Sequence, residues 1–417
     1  MFDRLFQDPR ALARHQNGPL AEERRRFLAH CIQQQMSLLY VKKIAHFTLI
    51  VAKALRLAER PGELITQSEI EAEAAHWANR PKRRRRRDVD VACRTFTGNA
   101  LRWLTFLGRV QPSATVQRPY AEHVAQFADY QLRERGLSPL TVVYYRRTIH
   151  RFLARIQEAG LCLQKLTIVQ MDELLAHQIG QQEHARSTIH GRMMVLRAFF
   201  RFAEQRGWCP QGLAAGILIP RLYSYEGLPL GLSWDDVQRL LAAAERGQPV
   251  DIRDRALLLL LAVYGLRAGE VTALCLKDFA WEREILSVPH GKSRKPRTYP
   301  LCRPVGDAVL RYLREVRPQS DRRELFLTVL APFRPLTANG LGEIVRRRLH
   351  TLGLTLPHYG PHMLRHACAT HLLAQGLSLK EVGDHLGHVD LDTTRIYAKV
   401  DLTALRVVGD FPLEDLL

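Results

Sequence analysis

A chain of 417 residues is longer than one ordinary hydrophobic core organises, so two or three domains are expected. Its 61 Lys and Arg outnumber 42 Asp and Glu, giving a formal net charge of +19 and a pI near 10, a balance that attracts a polyanion and points to nucleic acid. The seven cysteines, at positions 31, 93, 162, 209, 275, 302 and 368, are odd in number, far apart and without a CxxC pair, which argues against a disulfide framework or a cysteine-rich zinc site and for reduced thiols in the cytoplasm.

The amino terminus, MFDRLFQDPR, carries acids and no long apolar core, so it is not read as a secretory signal. HFTLIVAKALRLA, His46 to Ala58, is too short to span a bilayer and is interrupted by Lys53; it reads as a buried helix, and no membrane partner is expected. Residues 1–112 as a whole read as a helical N-terminal extension. Within it RPKRRRRRD, Arg80 to Asp88, is a run of like charges that repels itself and is expected to be a loop or arm. A second break follows at GRVQPSATVQRP, Gly108 to Pro119.

From Tyr120 to Trp208 apolar residues recur at helical spacing. YAEHVAQFADYQLRERG ends in a glycine stop, and SPLTVVYYRRTIHRFLARIQEAG opens on a Ser cap followed by proline and ends in another glycine. LTIVQMDELLAHQI and STIHGRMMVLRAFFRFAEQRGW complete four helices, a module over residues 113–209. It carries Arg146, Arg147, Arg151, Arg186, Arg192, Arg197 and Arg201, charges that on a helical surface alone are solvated. The Gly- and Pro-rich stretch from Cys209 to Gly231 then reads as a linker, assigned to 210–230.

SWDDVQRLLAAAERG places Ser at a helix cap and Asp in the first turn, where the helix dipole favours acid. DIRDRALLLLLAVYGL follows as a buried helix. ILSVPH, GKSRK and RTYPL, from Ile285 to Leu301, alternate and turn as a β-hairpin, and the remainder to Leu405 is mostly helix.

Four short stretches in this last third carry chemistry: YGLRAGEV around Arg267, GKSRK around Lys292, HMLRH from His362 to His366, and LGHVDLDTTRIY from Leu386 to Tyr397. Breaking a phosphodiester without metal requires neutralising the charge that builds on its oxygens. Guanidinium groups suit this, because each presents a planar fork of donors and stays charged at physiological pH. Arg267 follows the Gly265 that closes a helix. Arg365 lies three residues after His362, so a helix projects both from one face. His362 and His388 add donors, and a phenol such as Tyr397, of ordinary pKa about 10, becomes a nucleophile beside such charge. Lys292 occupies the hairpin turn, where a flexible amine can reach a leaving oxygen and protonate it; Lys295 is its nearby competitor. Glu270 reads as a carboxylate that orients Arg267 or a histidine, or as a simple helix-face charge. A rival reading is metal binding by His358, His362, His366, Cys368 and His371, since His362 and His366 have i, i+4 spacing; it lacks the HExxH glutamate and leaves Arg365 unexplained.

These stretches resemble the tyrosine recombinases, the family of phage integrases, chromosome-dimer resolvases and transposon integrases, over roughly residues 115–407. The resemblance implies a mainly α fold. An all-α, SAM-like core-binding domain (113–209) clamps DNA and raises the arginines listed above to phosphate contacts; an α+β catalytic domain with a small β-hairpin or sheet (231–407) follows. In the family the two arginines and two histidines hold the scissile phosphate, the hairpin lysine is the acid, and the tyrosine joins the DNA 3′ phosphate. Those roles fall on Arg267, Arg365, His362, His388, Lys292 and Tyr397. Where many relatives have histidine, this chain has Lys399, a departure that touches no catalytic role. The acidic, apolar tail 408–417 matches one that docks on a neighbouring subunit.

The resemblance further implies a bacterial, nucleoid-associated enzyme that needs no metal or other cofactor. It would act as a homo-tetramer on double-stranded DNA with paired inverted-repeat sites, with related recombinases or accessory proteins as further partners. A type IB topoisomerase and a DNA-binding accessory factor that no longer cleaves are the alternatives. Residues 1–112 fall outside the resemblance.

Overall fold

The computed structural model describes residues 1–79, 89–111, 119–180 (177–180 without side chains), 185–222, 232–289, 296–356, 358–388 and 394. They group into two units, one of residues 62–76 and 107–224, the other of 1–61, 77–106 and 225–417. The N-terminal region is thereby divided. Its segment after residue 62 is tied to the stretch that follows α6, where the Ile65 N–H donates to the Arg109 carbonyl and the Gln111 N–H to that of Ile65, each at 2.8 Å.

The first six helices are α1 (Phe2–Leu5), α2 (Pro9–Gln16), α3 (Ala21–Gln33), α4 (Leu38–Ala54), α5 (Gln67–Ala78) and α6 (Val89–Phe106). Side-chain caps start three of them, one being the Thr66 hydroxyl, which accepts from the Glu69 N–H at the start of α5. Asp8 accepts from the Arg10 N–H ahead of Pro9, and the Ser37 hydroxyl accepts from the Tyr40 N–H. The apolar run of α4 buries Val41, Ile44, Leu49 and Val51 against α3 and α6, as its sequence predicts. Among the described residues no helix is long and apolar enough to cross a membrane.

The four predicted helices of the middle module are present as α7 (Ala121–Arg133), α8 (Pro139–Glu158), α9 (Ile168–Gly180) and α10 (Arg186–Gln205). Gly136 and Gly160 take left-handed φ values of +64° and +68°, the conformation that lets a helix stop. Phe127, Phe152, Phe199 and Phe200 interlock in the core, Phe127 and Phe199 edge to face at 5.5 Å. The expected linker differs at its start. A short helix α11 (Leu213–Gly216) and Ile217 return to this core, because Leu213, Ala214 and Ile217 are apolar enough to be buried there. Arg197 fastens the return by donating Nε to the Ile217 carbonyl at 3.1 Å; Arg146, Arg147, Arg151, Arg186 and Arg201 are exposed.

In the last part, α12 (Trp234–Ala243) is capped by Ser233, whose hydroxyl accepts from the Asp236 N–H. α13 (Pro249–Val263) is buried on every side from Ala256 to Ala262 and forms the axis of the core. α14 (Ala268–Ala273) follows, then a three-stranded antiparallel sheet in the order β1 (Phe279–Ala280), β2 (Ile285–Val288), β3 (Arg297–Pro300). The hairpin is the predicted one, with Leu286 opposite Tyr299 and Val288 opposite Arg297. The two-residue β1 was not foreseen, being too short to show an alternating pattern. α15 (Arg303–Glu315), α16 (Ala338–Thr351), α17 (Pro361–Ala374) and α18 (Leu379–Leu386) complete the chain as far as it is described in order; α15 and α17 pack directly on α13.

Candidate active site

The site is built where α13, α17 and α18 end or begin near one another. Gly265 terminates α13 with φ +58°, and a side chain there would run into Leu386 and Cys368. That close approach lets Arg267, the N-cap of α14, sit beside α17 and α18. Its backbone N–H donates to Glu270 Oε2 at 2.8 Å and its Nη1 to Oε1 at 2.9 Å, so the carboxylate aims the guanidinium from two directions. Glu270 is 4% exposed. Burial works against its ionisation, but the Arg267 N–H, the Arg297 charge and the Arg267 side chain outweigh it and hold the carboxyl below its ordinary pKa.

Arg365 rises from the first turns of α17 and is buried. Its Nη1 donates to the Gly265 carbonyl and its Nη2 to the Leu386 carbonyl at 2.9 Å, which ties the ends of α13 and α18 to α17. Gly387, at φ +65°, closes α18 and turns the chain toward His388. The His388 Nδ1 lies 2.7 Å from the hydroxyl of Thr394, itself buried. Desolvation and then the charges of Arg365, Arg267 and Arg297, with His366 beyond them, lower the His388 pKa to about 4. Desolvation, Arg365 and Arg267 likewise lower that of His362, whose side chain nevertheless retains substantial solvent exposure in the first turn of α17. The two imidazoles therefore feel the same pair of guanidinium charges.

Four of the six expected residues, Arg267, His362, Arg365 and His388, are thus brought into one electrostatically coupled group; Lys292 and Tyr397 lie outside the described residues. Glu270 orients Arg267, one of the two roles its position suggested. The sequence reading passed over Arg297, Tyr299 and Thr394. Arg297 and Tyr299 stand two apart on β3, and strand alternation alone puts them on one face; nothing local marks Thr394 as a histidine's partner.

The histidine-rich segment does not assemble as the rival reading requires. Cys368 faces the end of α13, its Sγ 3.5 Å from the Val263 carbonyl, and burial pushes its thiol up to about 12 despite the Arg365 charge. His371 stacks on Trp234 with ring centroids 3.8 Å apart. Among the described residues no group of three or more His, Cys, Asp or Glu is placed to hold a metal ion.

Comparison with known proteins adds an independent view. Residues 231–403 match the model of the phage integrase family, and residues 124–207 that of its N-terminal SAM-like domain. The chain is 36% identical over 302 residues to y4rA of Sinorhizobium fredii, an integrase/recombinase by name, covering 72% of this chain and 71% of that one. It is 34% identical to the tyrosine recombinase XerC of Alcanivorax borkumensis, covering 69% and 92%. In fold it is similar to the XerH site-specific recombinase, solved bound to a palindromic difH substrate, with a TM-score of 0.53, 21% identity and coverage of 82% and 94%.

Proposed function

Because the chain belongs to the phage integrase family of tyrosine recombinases, and so is a site-specific recombinase that cleaves and rejoins DNA strands, we propose that its reaction runs through Tyr397 without a metal ion. The observation that carries this reading is the coupled group of two guanidiniums and two imidazoles, which supplies fixed positive charge and donors where a metal-free phosphoryl transfer needs them. The Tyr397 oxygen attacks the phosphorus and the bond to the 5′ oxygen breaks. His362 receives the phenol proton and Lys292 delivers one to the departing oxygen. The resulting 3′-phosphotyrosyl bond keeps the energy of the phosphodiester, so the 5′ hydroxyl of a partner strand reverses the step. His388 is neutral at physiological pH. Donating to the phosphate through Nε2–H requires Nδ1 to accept, and the Thr394 hydroxyl, 2.7 Å from Nδ1, is placed to donate to it.

Cleavage of a nicked suicide substrate in excess EDTA tests the metal-free step. The rate should be unchanged; a strict requirement for added Mg²⁺ or Zn²⁺ would revive the histidine-cluster reading.

The SAM-like module, residues 113–209, is proposed to clamp one face of the duplex, with the exposed Arg146, Arg147, Arg151, Arg186 and Arg201 on phosphates, and residues 231–407 to carry the chemistry. XerH is solved on a palindromic site, which supports paired inverted repeats as the target here. A tetramer on two duplexes then follows from exchanging strands between two such sites. The tail 408–417 lies outside the described residues; its Phe411, Leu413, Leu416 and Leu417 are proposed to dock on a neighbouring subunit. Deleting it should spare binding to a half-site and weaken paired-site complexes in gel-shift assays. Equal recombination by the truncated protein at matched concentration would refute that role.

The arginine run also lies outside the described residues. We expect Arg80 and Lys82 to Arg87 to lie along phosphates beyond the core site, since such a run gains little from packing on protein and much from releasing counterions. Neutralising Arg83 to Arg87 should lower affinity similarly for all DNA sequences and flatten the salt dependence of binding by up to about one logarithmic unit per lost contact, with cleavage of pre-bound substrate spared. An unchanged salt slope would leave the run as a linker.

A further inference from the structure

We propose that Arg297 is a positioning residue for strand cleavage, a single guanidinium that holds the arginine and histidine sides of the phosphate site in register. The inference rests on the reading of the site given above and adds a residue to it. Arg297 opens β3, the returning strand of the hairpin whose turn holds Lys292 in the sequence. Its Nη2 lies 2.7 Å from Glu270 Oε1, the same oxygen that Arg267 Nη1 reaches at 2.9 Å. Its Nη1 donates to the Leu386 carbonyl at 2.6 Å, the same oxygen that Arg365 Nη2 reaches at 2.9 Å, and to the Tyr299 hydroxyl at 2.9 Å. Tyr299 in turn donates to the His385 carbonyl. The carboxylate that aims Arg267 and the carbonyl that aims Arg365 are therefore joined by one planar group.

Three physical consequences follow. Leu386 and His385 end α18, where carbonyls lack intrahelical donors, so Arg297 and Tyr299 fasten the helix end that leads into His388. Gly387 has no Cβ, and the Arg297 guanidinium fills the space that one would occupy, so the turn and the arginine are fitted to each other. Glu270 is buried and divides its charge between two guanidiniums, which prevents Arg267 from being wholly neutralised by its own orienting partner. A lysine places one nitrogen where the fork places two and cannot reach both Glu270 and Leu386 at these distances.

The test is single-turnover cleavage of a pre-bound suicide half-site by Arg297→Ala and Arg297→Lys, with half-site affinity and thermal melting measured alongside. Both variants should cleave roughly 10- to 100-fold more slowly, the range for groups that orient others in a site, with affinity nearly unchanged. Adding Glu270→Gln to Arg297→Ala should cost little beyond the worse single change, because both cut one link. Arg297→Lys keeps the charge and guards against a failure of the alanine variant to fold. Folded variants that cleave at the wild-type rate, or full restoration by lysine, would overturn the inference. Arg267→Ala in the same assay separates the two levels: if it too cleaves normally, the phosphate-site reading fails; if it alone is impaired, only the role of Arg297 does.

Discussion

No protein should remain joined to DNA when Tyr397→Phe is mixed with a nicked suicide substrate, while its binding to the same site is retained. The expectation rests partly on what the other tyrosines of this region do. Tyr264 donates its hydroxyl to the Pro300 carbonyl, Tyr299 to that of His385 and Tyr359 to that of Leu354; Tyr312 accepts from the Leu327 N–H. Burial raises the pKa of Tyr264, Tyr299 and Tyr312, which makes each a worse nucleophile. Tyr397 stands nine residues after His388 in the sequence. An adduct surviving in the Phe variant would assign the nucleophile elsewhere.

Arg365→Ala should slow cleavage by roughly 100- to 1000-fold, the scale on which losing one preorganised donor to a developing oxyanion is felt. It should also destabilise the fold. Arg365 is buried and donates to the Gly265 and Leu386 carbonyls; leaving a buried acceptor unpaired costs about 1–3 kcal/mol. Leu386 keeps Arg297 as a partner, so the Gly265 carbonyl bears most of that loss. Arg267→Ala should slow cleavage comparably with a smaller change in stability, because its side chain is 38% exposed and its one carboxylate partner retains Arg297. Urea melts beside suicide-substrate kinetics separate the two effects. A wild-type cleavage rate in either variant would contradict its place on the phosphate.

The order of helices was legible because it is written in local signals: Ser233 and Ser138 as caps, Gly136 and Gly160 as stops, and the unbroken leucines of α13. The grouping of Arg267, His362, Arg365 and His388 was legible for another reason, since HxxR and LGH are a pattern of chemistry. What escaped the sequence is how those residues are held. Arg297 and Glu270 are 27 positions apart and Arg297 and Leu386 are 89, and no periodicity links such distances. The return of Leu213 to Ile217 onto the four-helix core was hidden because glycine and proline around it read as a linker, while its burial depends on a surface formed by other helices.

The central claim is that Tyr397 becomes the covalent link to the DNA. Trapping the wild-type protein on a nicked suicide substrate, digesting the adduct with protease and nuclease, and sequencing the modified peptide by mass spectrometry tests it directly. A nucleotide carried on Tyr397 through its 3′ phosphate is the expected result; a 5′ linkage, or a nucleotide on any other residue, would contradict the account.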